Sequence, residues 1–344
     1  MQKSITIGMD LGDRNHVACV LDKRGRKIEE CTVACKPTDV RAFCARYPGA
    51  LLAVETGTHS RWVSEVASEV GLEVLVGNAR KLRAIWQSPQ KSDVKDAEML
   101  ARIARMDPQL LSPIRHRSAR AQQDLAVIKA RDALVRTRAS LILHVRSVCK
   151  GFGHRVAKAG SEAFARKVQI PEELKPALAP LLEVIEELTQ RIRSYDRAVE
   201  ETAVRYPETE RLTQVTGVGS LTALAFVLTI EESTRFEDSR MVGPYLGLVP
   251  RRDQSGQADK QLPITKAGNT YLRSLLVSGA HYILGPFGPP CNLRRHGEAL
   301  MKRGGKNAKK RAVVAVARKL AVLLHALWKS GVTYEPDRGW SAAA

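Results

Sequence analysis

The strongest constraint on this chain is a periodicity. Leu181, Ile185, Leu188, Ile192, Tyr195 and Val199 step by 4, 3, 4, 3 and 4 residues. Apolar side chains at that spacing form an a/d seam along an α-helix, with Glu183, Glu186, Glu187, Arg191 and Arg193 on its solvated edges. Such a seam has to be covered. One cover lies upstream: residues 115–150 read as one helix of about 54 Å at ~1.5 Å per residue. It carries Ala121, Leu125, Ile128, Val135, Ala139 and Ile142 on one stripe. The other cover is a second copy of the chain. Gly151-Phe152-Gly153 ends the first helix and Tyr206-Pro207 the second. Pro171, Pro176 and Pro180 make residues 153–180 read as a connector.

The segment before the hairpin alternates. Residues 4–10 alternate, with apolar Ile5, Ile7 and Met9 at every second position and β-branched Ile5, Thr6 and Ile7, and predict a strand. His16 to Asp22 and Ile28 to Ala34 predict two more, joined by the turn Lys23–Lys27 into an antiparallel meander. Thr38 to Tyr47 predicts a short helix with Thr38 as its N-cap. Leu51 to Glu55 is a buried-type strand, Ser60 to Val70 an amphipathic helix, Glu73 to Val76 a strand and Asp93 to Met106 a helix. The order β-β-β-α-β-α-β-α is that of a ribonuclease-H-like domain. It sets Asp10 and Glu55 at strand ends, and Asp93 and Asp96 on one helical face. Carboxylates so placed suit Mg²⁺ ions working on a phosphodiester. Each also has a plainer use. Acids in a first helical turn answer the helix dipole, and Asp10 before Leu11-Gly12 fits an ordinary turn or the phosphate loop of an actin-like ATPase.

After the hairpin, Thr216-Gly217-Val218-Gly219-Ser220-Leu221-Thr222-Ala223 fits either the phosphate-binding turn of a helix-hairpin-helix or a tight structural turn. Leu221 to Ile230 and Asn269 to Leu284, which carries Arg273, read as helices, and Ser239 to Tyr245 as a short one. Between them Gly247-Leu248-Val249-Pro250-Arg251-Arg252-Asp253-Gln254-Ser255-Gly256 reads as a loop, bracketed by Pro and Gly. Ser255 before Gly256, with Arg251, Arg252, Lys260 and Lys266 close in sequence, suits attack on a phosphate or grip of one. From Leu293 to Trp328 the chain is basic. Arg294, Arg295, Lys302, Arg303, Lys306, Lys309, Lys310 and Arg311 are interrupted only by Glu298, a run that favours phosphate contact over a merely solvated face, and an apolar helix follows over 312–328.

Charge decides the partner class. Lys and Arg number 55 against 36 Asp and Glu in 344 residues, a net charge of +19. That excess points to nucleic acid. No apolar run approaches the ~18 residues a membrane span needs, and no signal-peptide pattern opens the chain. Six cysteines without a CxxC pair read as reduced thiols of a cytoplasmic protein and give no zinc spacing. Aromatic content of 5% leaves base stacking a minor part of recognition.

Taken in order, these motifs resemble the one-ten family of bacterial insertion-sequence transposases, also called DEDD transposases. The N-terminal match is Ile7-Gly8-Met9-Asp10, Val54-Glu55-Thr56-Gly57 and Ser92-Asp93-Val94-Lys95-Asp96-Ala97. The C-terminal match is Thr216-Gly217-Val218-Gly219, Tyr245-Leu246-Gly247-Leu248-Val249-Pro250-Arg251, Gln254-Ser255-Gly256 and Ile264-Thr265-Lys266-Ala267-Gly268-Asn269, with residues 304–321 similar as well. The resemblance implies a RuvC-like α/β domain over 1–112, a helical coiled-coil linker over 113–207, a mostly α-helical serine transposase domain over 208–335 and a tail over 336–344. It implies that Asp10, Glu55, Asp93 and Asp96 hold Mg²⁺ and that Ser255 is catalytic. It also implies donor and target duplex DNA, a non-coding bridge RNA as guide, and homodimers or homotetramers. Arg251, Arg252, Lys266, Arg273, Lys306, Lys309, Lys310 and Arg311 are the expected nucleic-acid contacts. The alternatives are a hydrolytic RuvC-like structure-specific endonuclease and a non-enzymatic nucleic-acid-binding protein. Two positions depart from the family pattern: Pro244 ahead of the Ser255 segment, and the rigid Gly285–Cys291 link.

Overall fold

The computed structural model describes residues 4–82, 92–255 and 258–337. The chain forms two compact units, 1–116 and 117–344.

The first unit is a five-stranded sheet in the order β3-β2-β1-β4-β5. Its strands are β1 (Thr6–Leu11), β2 (Asn15–Leu21), β3 (Lys27–Ala34), β4 (Leu51–Glu55) and β5 (Glu73–Gly77). β1 to β3 run antiparallel, as the alternating pattern predicts, while β1, β4 and β5 are parallel. Period two divides the two faces. Ile7, Met9, Leu52 and Val54 pack against α1 (Pro37–Ala45) and α2 (Ser60–Glu69). Gly8, Leu51 and Ala53 face the other way. They meet α3 (Ala79–Leu82) and α4 (Asp93–Met106). α1 is capped by Lys36 and not by Thr38, because Pro37 at the first position already sets a helical φ.

The second unit is helical apart from one hairpin. α5 (Ala119–Gly151) and α7 (Lys175–Val204) are the long arms. The heptad seam is covered within the chain. Ile185 packs with Ile142, Val145 and Cys149 of α5, and Val199 with Ala121, Leu125 and Ile128. α7 starts at Lys175, earlier than its heptads, because Pro176 sits in the first turn, where no N–H is needed. Pro180 lies inside the helix, at the loss of one ladder bond. The connector is not loose. α6 (Phe164–Lys167) buries Phe164 in a small core with Leu174 and Leu178.

The remaining helices are α8 (Glu208–Thr213), α9 (Ser220–Ile230), α10 (Val242–Tyr245), α11 (Thr270–Leu284), α12 (Asn292–Lys302) and α13 (Ala308–Ser330). α12 falls inside the run read from sequence only as basic. α9, buried along its length, is the centre of the core and packs with α11 and α13. Gly217 and Gly279 let α11 come close. A Cβ on Gly217 would stand 2.8 Å from the Gly279 carbonyl oxygen. The glycine motif is thus used here as a tight packing turn.

Candidate active site

The acids come first. Met9 pairs with Val54 in the parallel ladder, so Asp10 and Glu55 occupy the next positions on neighbouring strands. Both share the face of Gly8 and Ala53, which is the α4 face. α4 is pressed onto that face. A Cβ on Gly8 would stand 2.0 Å from the Ala97 carbonyl oxygen and 2.4 Å from the Ala101 nitrogen. The helix runs opposite to β1: Arg105, in its last turn, donates to the Lys23 carbonyl at 2.5 Å, and Lys23 follows the end of β2, where Leu21 pairs with Thr6 at the start of β1. Asp93 and Asp96 in the first turn therefore lie toward the same end of the sheet as Asp10 and Glu55. Ser92 caps that turn, its hydroxyl accepting from the Lys95 amide. Four carboxylates are hard oxygen donors of the kind Mg²⁺ takes. Among the described residues, however, no three His, Cys, Asp or Glu side chains are close enough together to hold a metal ion. The donor set fits in kind and in placement, without being drawn together.

Ser255 lies in the second unit, and its segment is not the loop read from sequence. It is a hairpin of β6 (Pro250–Ser255) and β7 (Ala258–Ile264), with Ser255 the last residue of β6 and opposite Ala258. Gly256 falls outside the described residues. Arg251, Arg252, Asp253 and Gln254 are all exposed, so the strand shows no alternation of apolar and polar residues, which is the signal a sequence reading depends on.

The base of this hairpin is clasped. Gly247 and Gly268 both have positive φ, 68° and 75°. A Cβ on Gly247 would meet the Ala267 nitrogen and oxygen at 2.3 Å, and one on Gly268 would meet the Tyr245 oxygen at 2.0 Å. The amides of Thr265 and Lys266 donate to the Val249 and Gly247 carbonyls at 2.9 and 3.1 Å. Arg273 completes the clasp. It is buried at 8% exposure and its Nη1 donates to the Leu246 and Ala267 carbonyls at 2.9 and 2.8 Å. This stands against the expectation that Arg273 contacts nucleic acid: Nη1 is spent on main-chain oxygens, and Nη2 donates to the Thr270 hydroxyl at 3.2 Å. Asn269 caps α11, its Oδ1 accepting from the Leu272 amide at 3.0 Å, while its Nδ2 donates to Thr229 of α9 at 3.3 Å. The two motifs 245–251 and 264–269 are thus one piece of architecture. Pro244 does not disturb it, since it lies in the short α10 and its carbonyl accepts from the Gly247 amide at 2.9 Å.

The basic C-terminal run divides in two. Arg294 donates through Nη1 to the carbonyls of Ile283, Gly285 and Gly288 at 3.1, 2.8 and 2.7 Å, which fixes the Gly/Pro link. Arg295 pairs with Asp337 at 2.7 Å. These two are structural, contrary to the phosphate-contact reading of the whole run. Arg311 is exposed and donates to the Gly304 carbonyl at 3.0 Å. Lys302, Arg303, Lys306, Lys309 and Lys310 are exposed, and no ion pair among the described residues involves them. Lys309, Lys310 and Arg311 lie in the first turn of α13, where the helix dipole disfavours cations. Lys266, Arg251 and Arg252 are exposed as well.

Comparison with known families decides what this architecture belongs to. A model described as the transposase IS116/IS110/IS902 family matches residues 209–289, and a DEDD transposase model of the IS110 type matches residues 7–153. The chain belongs to the IS110/IS116/IS902 family of transposases. The transposase is accordingly an enzyme of DNA transposition and recombination. It is 27% identical to a probable family 20 transposase of Pseudomonas aeruginosa, over 96% of this chain and 98% of that protein. It is 25% identical to the transposase for insertion sequence element IS1111A of Coxiella burnetii, over 95% and 90%. A pilin gene-inverting protein of Moraxella lacunata is 28% identical over 34% of this chain and 35% of its own. Among the described residues of the transposase, no helix is long and apolar enough to cross a membrane, and all six cysteines are free, with Cys19, Cys44, Cys149 and Cys291 buried.

Proposed function

We propose that this transposase cuts and rejoins donor and target duplex DNA through a covalent bond to Ser255. The observation that supports this most is the clasp: it fixes the base of a hairpin whose first strand is exposed and polar from Arg251 to Gln254 and ends at Ser255. In the proposed step, Ser255 Oγ bonds to phosphorus while one backbone P–O bond breaks, and the net proton transfer runs from the serine hydroxyl to the leaving oxygen. The phosphoserine keeps the bond energy until a second DNA hydroxyl attacks it and the serine is released. Arg251, Arg252 and Lys266 hold flanking phosphates. Lys306, just ahead of α13, and Lys309, Lys310 and Arg311 in its first turn extend that grip.

In this reading the first unit is a RuvC-like domain, and Asp10, Glu55, Asp93 and Asp96 hold Mg²⁺. The bound ion supplies neutralisation of charge on the attacked phosphate. The α4 helix is the positioning element, since it brings Asp93 and Asp96 to the end of the sheet that carries Asp10 and Glu55. A bridge RNA pairing with donor and target supplies sequence choice, and the active assembly is a homodimer or homotetramer. Six unpaired thiols fit a reducing, cytoplasmic setting.

The test is a covalent-adduct assay. The transposase co-expressed with its flanking non-coding DNA is incubated with donor and target duplexes and Mg²⁺, then run on denaturing gels beside Ser255→Ala and Asp10→Ala. A DNA-linked protein band that vanishes in both variants is the expected result. Cleavage without an adduct, unchanged in Ser255→Ala and lost in Asp10→Ala, would establish a hydrolytic nuclease instead.

A further inference from the structure

The far end of the α5–α7 arm carries charge that neither the hairpin site nor the α13 patch uses. α5 has 33 residues, which makes the arm about 50 Å long at ~1.5 Å per residue. Its near end, with Ala121 and Val199, is built into the main core of the unit. Its far end is a separate small core of Cys149, Phe164, Leu174 and Leu178. Arg146 reinforces it, with its guanidinium 5.2 Å from the Phe164 ring centre and Nη2 donating to the Ala159 carbonyl at 3.3 Å. The tip is therefore a built surface and not a slack connector.

That surface is one-signed. Residues 150–161 contain no Asp or Glu. Lys150, Arg155, Lys158 and Lys167 are exposed, and no ion pair among the described residues involves them. Two of the acids nearby are already paired with cations, Glu162 with Arg193 at 3.4 Å and Glu172 with Lys175 at 2.5 Å, and Glu173 lies 3.5 Å from His154, an ion pair when that histidine is protonated. Phe152 stands among the free cations with 61% of its surface exposed. Unpaired cations held on a rigid tip gain more from phosphate than from water and salt, because each neutralised phosphate releases a counterion. An exposed ring beside them suits contact with a sugar or base.

We infer that the arm tip is a second DNA-backbone contact, made by Lys150, Arg155, Lys158 and Lys167 with Phe152. It holds duplex DNA about 50 Å from the core of its own unit, which at ~3.4 Å per base pair is about 15 base pairs away. The inference rests on the reading of the chain as a DNA-binding transposase and adds a length requirement to it. A duplex shorter than the arm cannot reach both ends.

The experiment measures DNA affinity against salt for the full chain, on duplexes of about 10 and about 30 base pairs. The variant is Lys150→Ala/Arg155→Ala/Lys158→Ala/Lys167→Ala. The control, Arg166→Ala/Lys175→Ala/Arg191→Ala/Arg193→Ala, removes the same charge from cations of the same arm that are already ion-paired. On the long duplex the tip variant is expected to flatten the log–log salt slope by about 3–4, and on the short duplex to leave it unchanged. The control is expected to change neither slope by more than about 1. Phe152→Ala is expected to weaken binding to the long duplex about five-fold or more. Equal slopes for the tip variant and the wild type on the long duplex would overturn the tip contact and leave the hairpin reading standing. An equal change on both duplexes would overturn the spacing, and a loss confined to duplex RNA would overturn DNA as the occupant. A wild type whose binding is independent of salt on both duplexes would take down the DNA reading itself.

Discussion

The two groups of candidate residues, one in each unit, are positioned by different kinds of structure. Asp10, Glu55, Asp93 and Asp96 are placed by a sheet register and a helix lying on it, that is, by repeating secondary structure. Ser255 is placed by a hairpin clasped at its base, through Gly247, Gly268, Lys266 with its φ of 54° and the buried Arg273. The first arrangement distributes its support over many backbone bonds. The second concentrates it in a few contacts, so single substitutions should separate them. The largest effects fall where a methyl group meets main chain. Gly8→Ala drives a Cβ to 2.0 Å from the Ala97 carbonyl, so α4 has to leave the sheet, at a cost of about 3 kcal/mol or more. Gly268→Ala combines a 2.0 Å approach to the Tyr245 carbonyl with φ of 75°, adding about 1–2 kcal/mol of backbone strain to the clash. Hydrogen exchange locates the damage: Gly8→Ala should loosen residues 6–106 and Gly268→Ala residues 242–276. If either variant loosened both regions equally, the division into separately supported halves would be wrong.

Arg273 gives the next effect. Arg273→Met leaves the Leu246 and Ala267 carbonyls without their donor, which costs about 2–4 kcal/mol. A guanidinium that contacts phosphate gives another signature, a salt slope of DNA binding shallower by about 1. The expected outcome is a lower urea midpoint with an unchanged slope. An unchanged midpoint with a shallower slope would return Arg273 to the DNA surface.

These differences explain what the sequence could and could not reveal. Alternation in 4–10 and 16–22, the apolar run 51–55 and the capped helix at 93 are periodic signals, and the first unit follows them closely. The register that puts Asp10 beside Glu55 comes from the same pattern. The heptads of 181–199 were legible too, and so was the helix that covers them; only the choice between that helix, α5, and a second copy had to come from the structure. The β6–β7 hairpin was not legible, because β6 is polar and exposed from Arg251 to Gln254 and carries no period. Arg273 and Arg294 were misread for a related reason. Arginine in a basic chain gives the same letter whether its donors face a phosphate or a main-chain carbonyl, and only burial distinguishes the two. What the sequence did carry was the glycine signal. Gly247 and Gly268 mark positions where the chain turns left-handed and passes close to another segment.

A smaller effect contrasts two buried histidines, one in each unit. His16 is fully buried and neither ring nitrogen makes a well-formed hydrogen bond, the Gly12 main chain being a weak partner that only partly offsets the burial. His325 is equally buried, but Nδ1 lies 2.8 Å from the Ser239 hydroxyl and Nε2 3.0 Å from the Ser233 carbonyl. Burial lowers the pKa of both below 6.5, with the charge of His59 adding to the effect on His16. A lowered histidine pKa means the unfolded chain binds more protons than the folded one. Stability is therefore full above about pH 6.5 and falls as the pH drops through that value toward the folded pKa. Urea melts at pH 7.5 and pH 5 should show this loss, and His16→Gln should reduce it by more than His325→Gln. Equal reductions would mean that hydrogen bonding does not distinguish the two sites.

The smallest effect tests whether the α13 cations are there for folding or for DNA. Lys309 lies in the first turn of a 23-residue helix with no acid in that turn. Its charge opposes the helix dipole, so Lys309→Glu should stabilise α13 by about 0.3–1 kcal/mol. The same substitution removes an exposed cation and puts a repelling charge in its place, so the salt slope of DNA binding should flatten by at least about 1. A chain that keeps a cation where its own helix prefers an acid gives up stability for something outside itself. A more stable, weaker-binding Lys309→Glu would put α13 with the hairpin arginines as surface held ready for phosphate. A less stable variant with unchanged binding would make Lys309 a structural cation like Arg294, and would confine the DNA surface of the second unit to the hairpin and the arm.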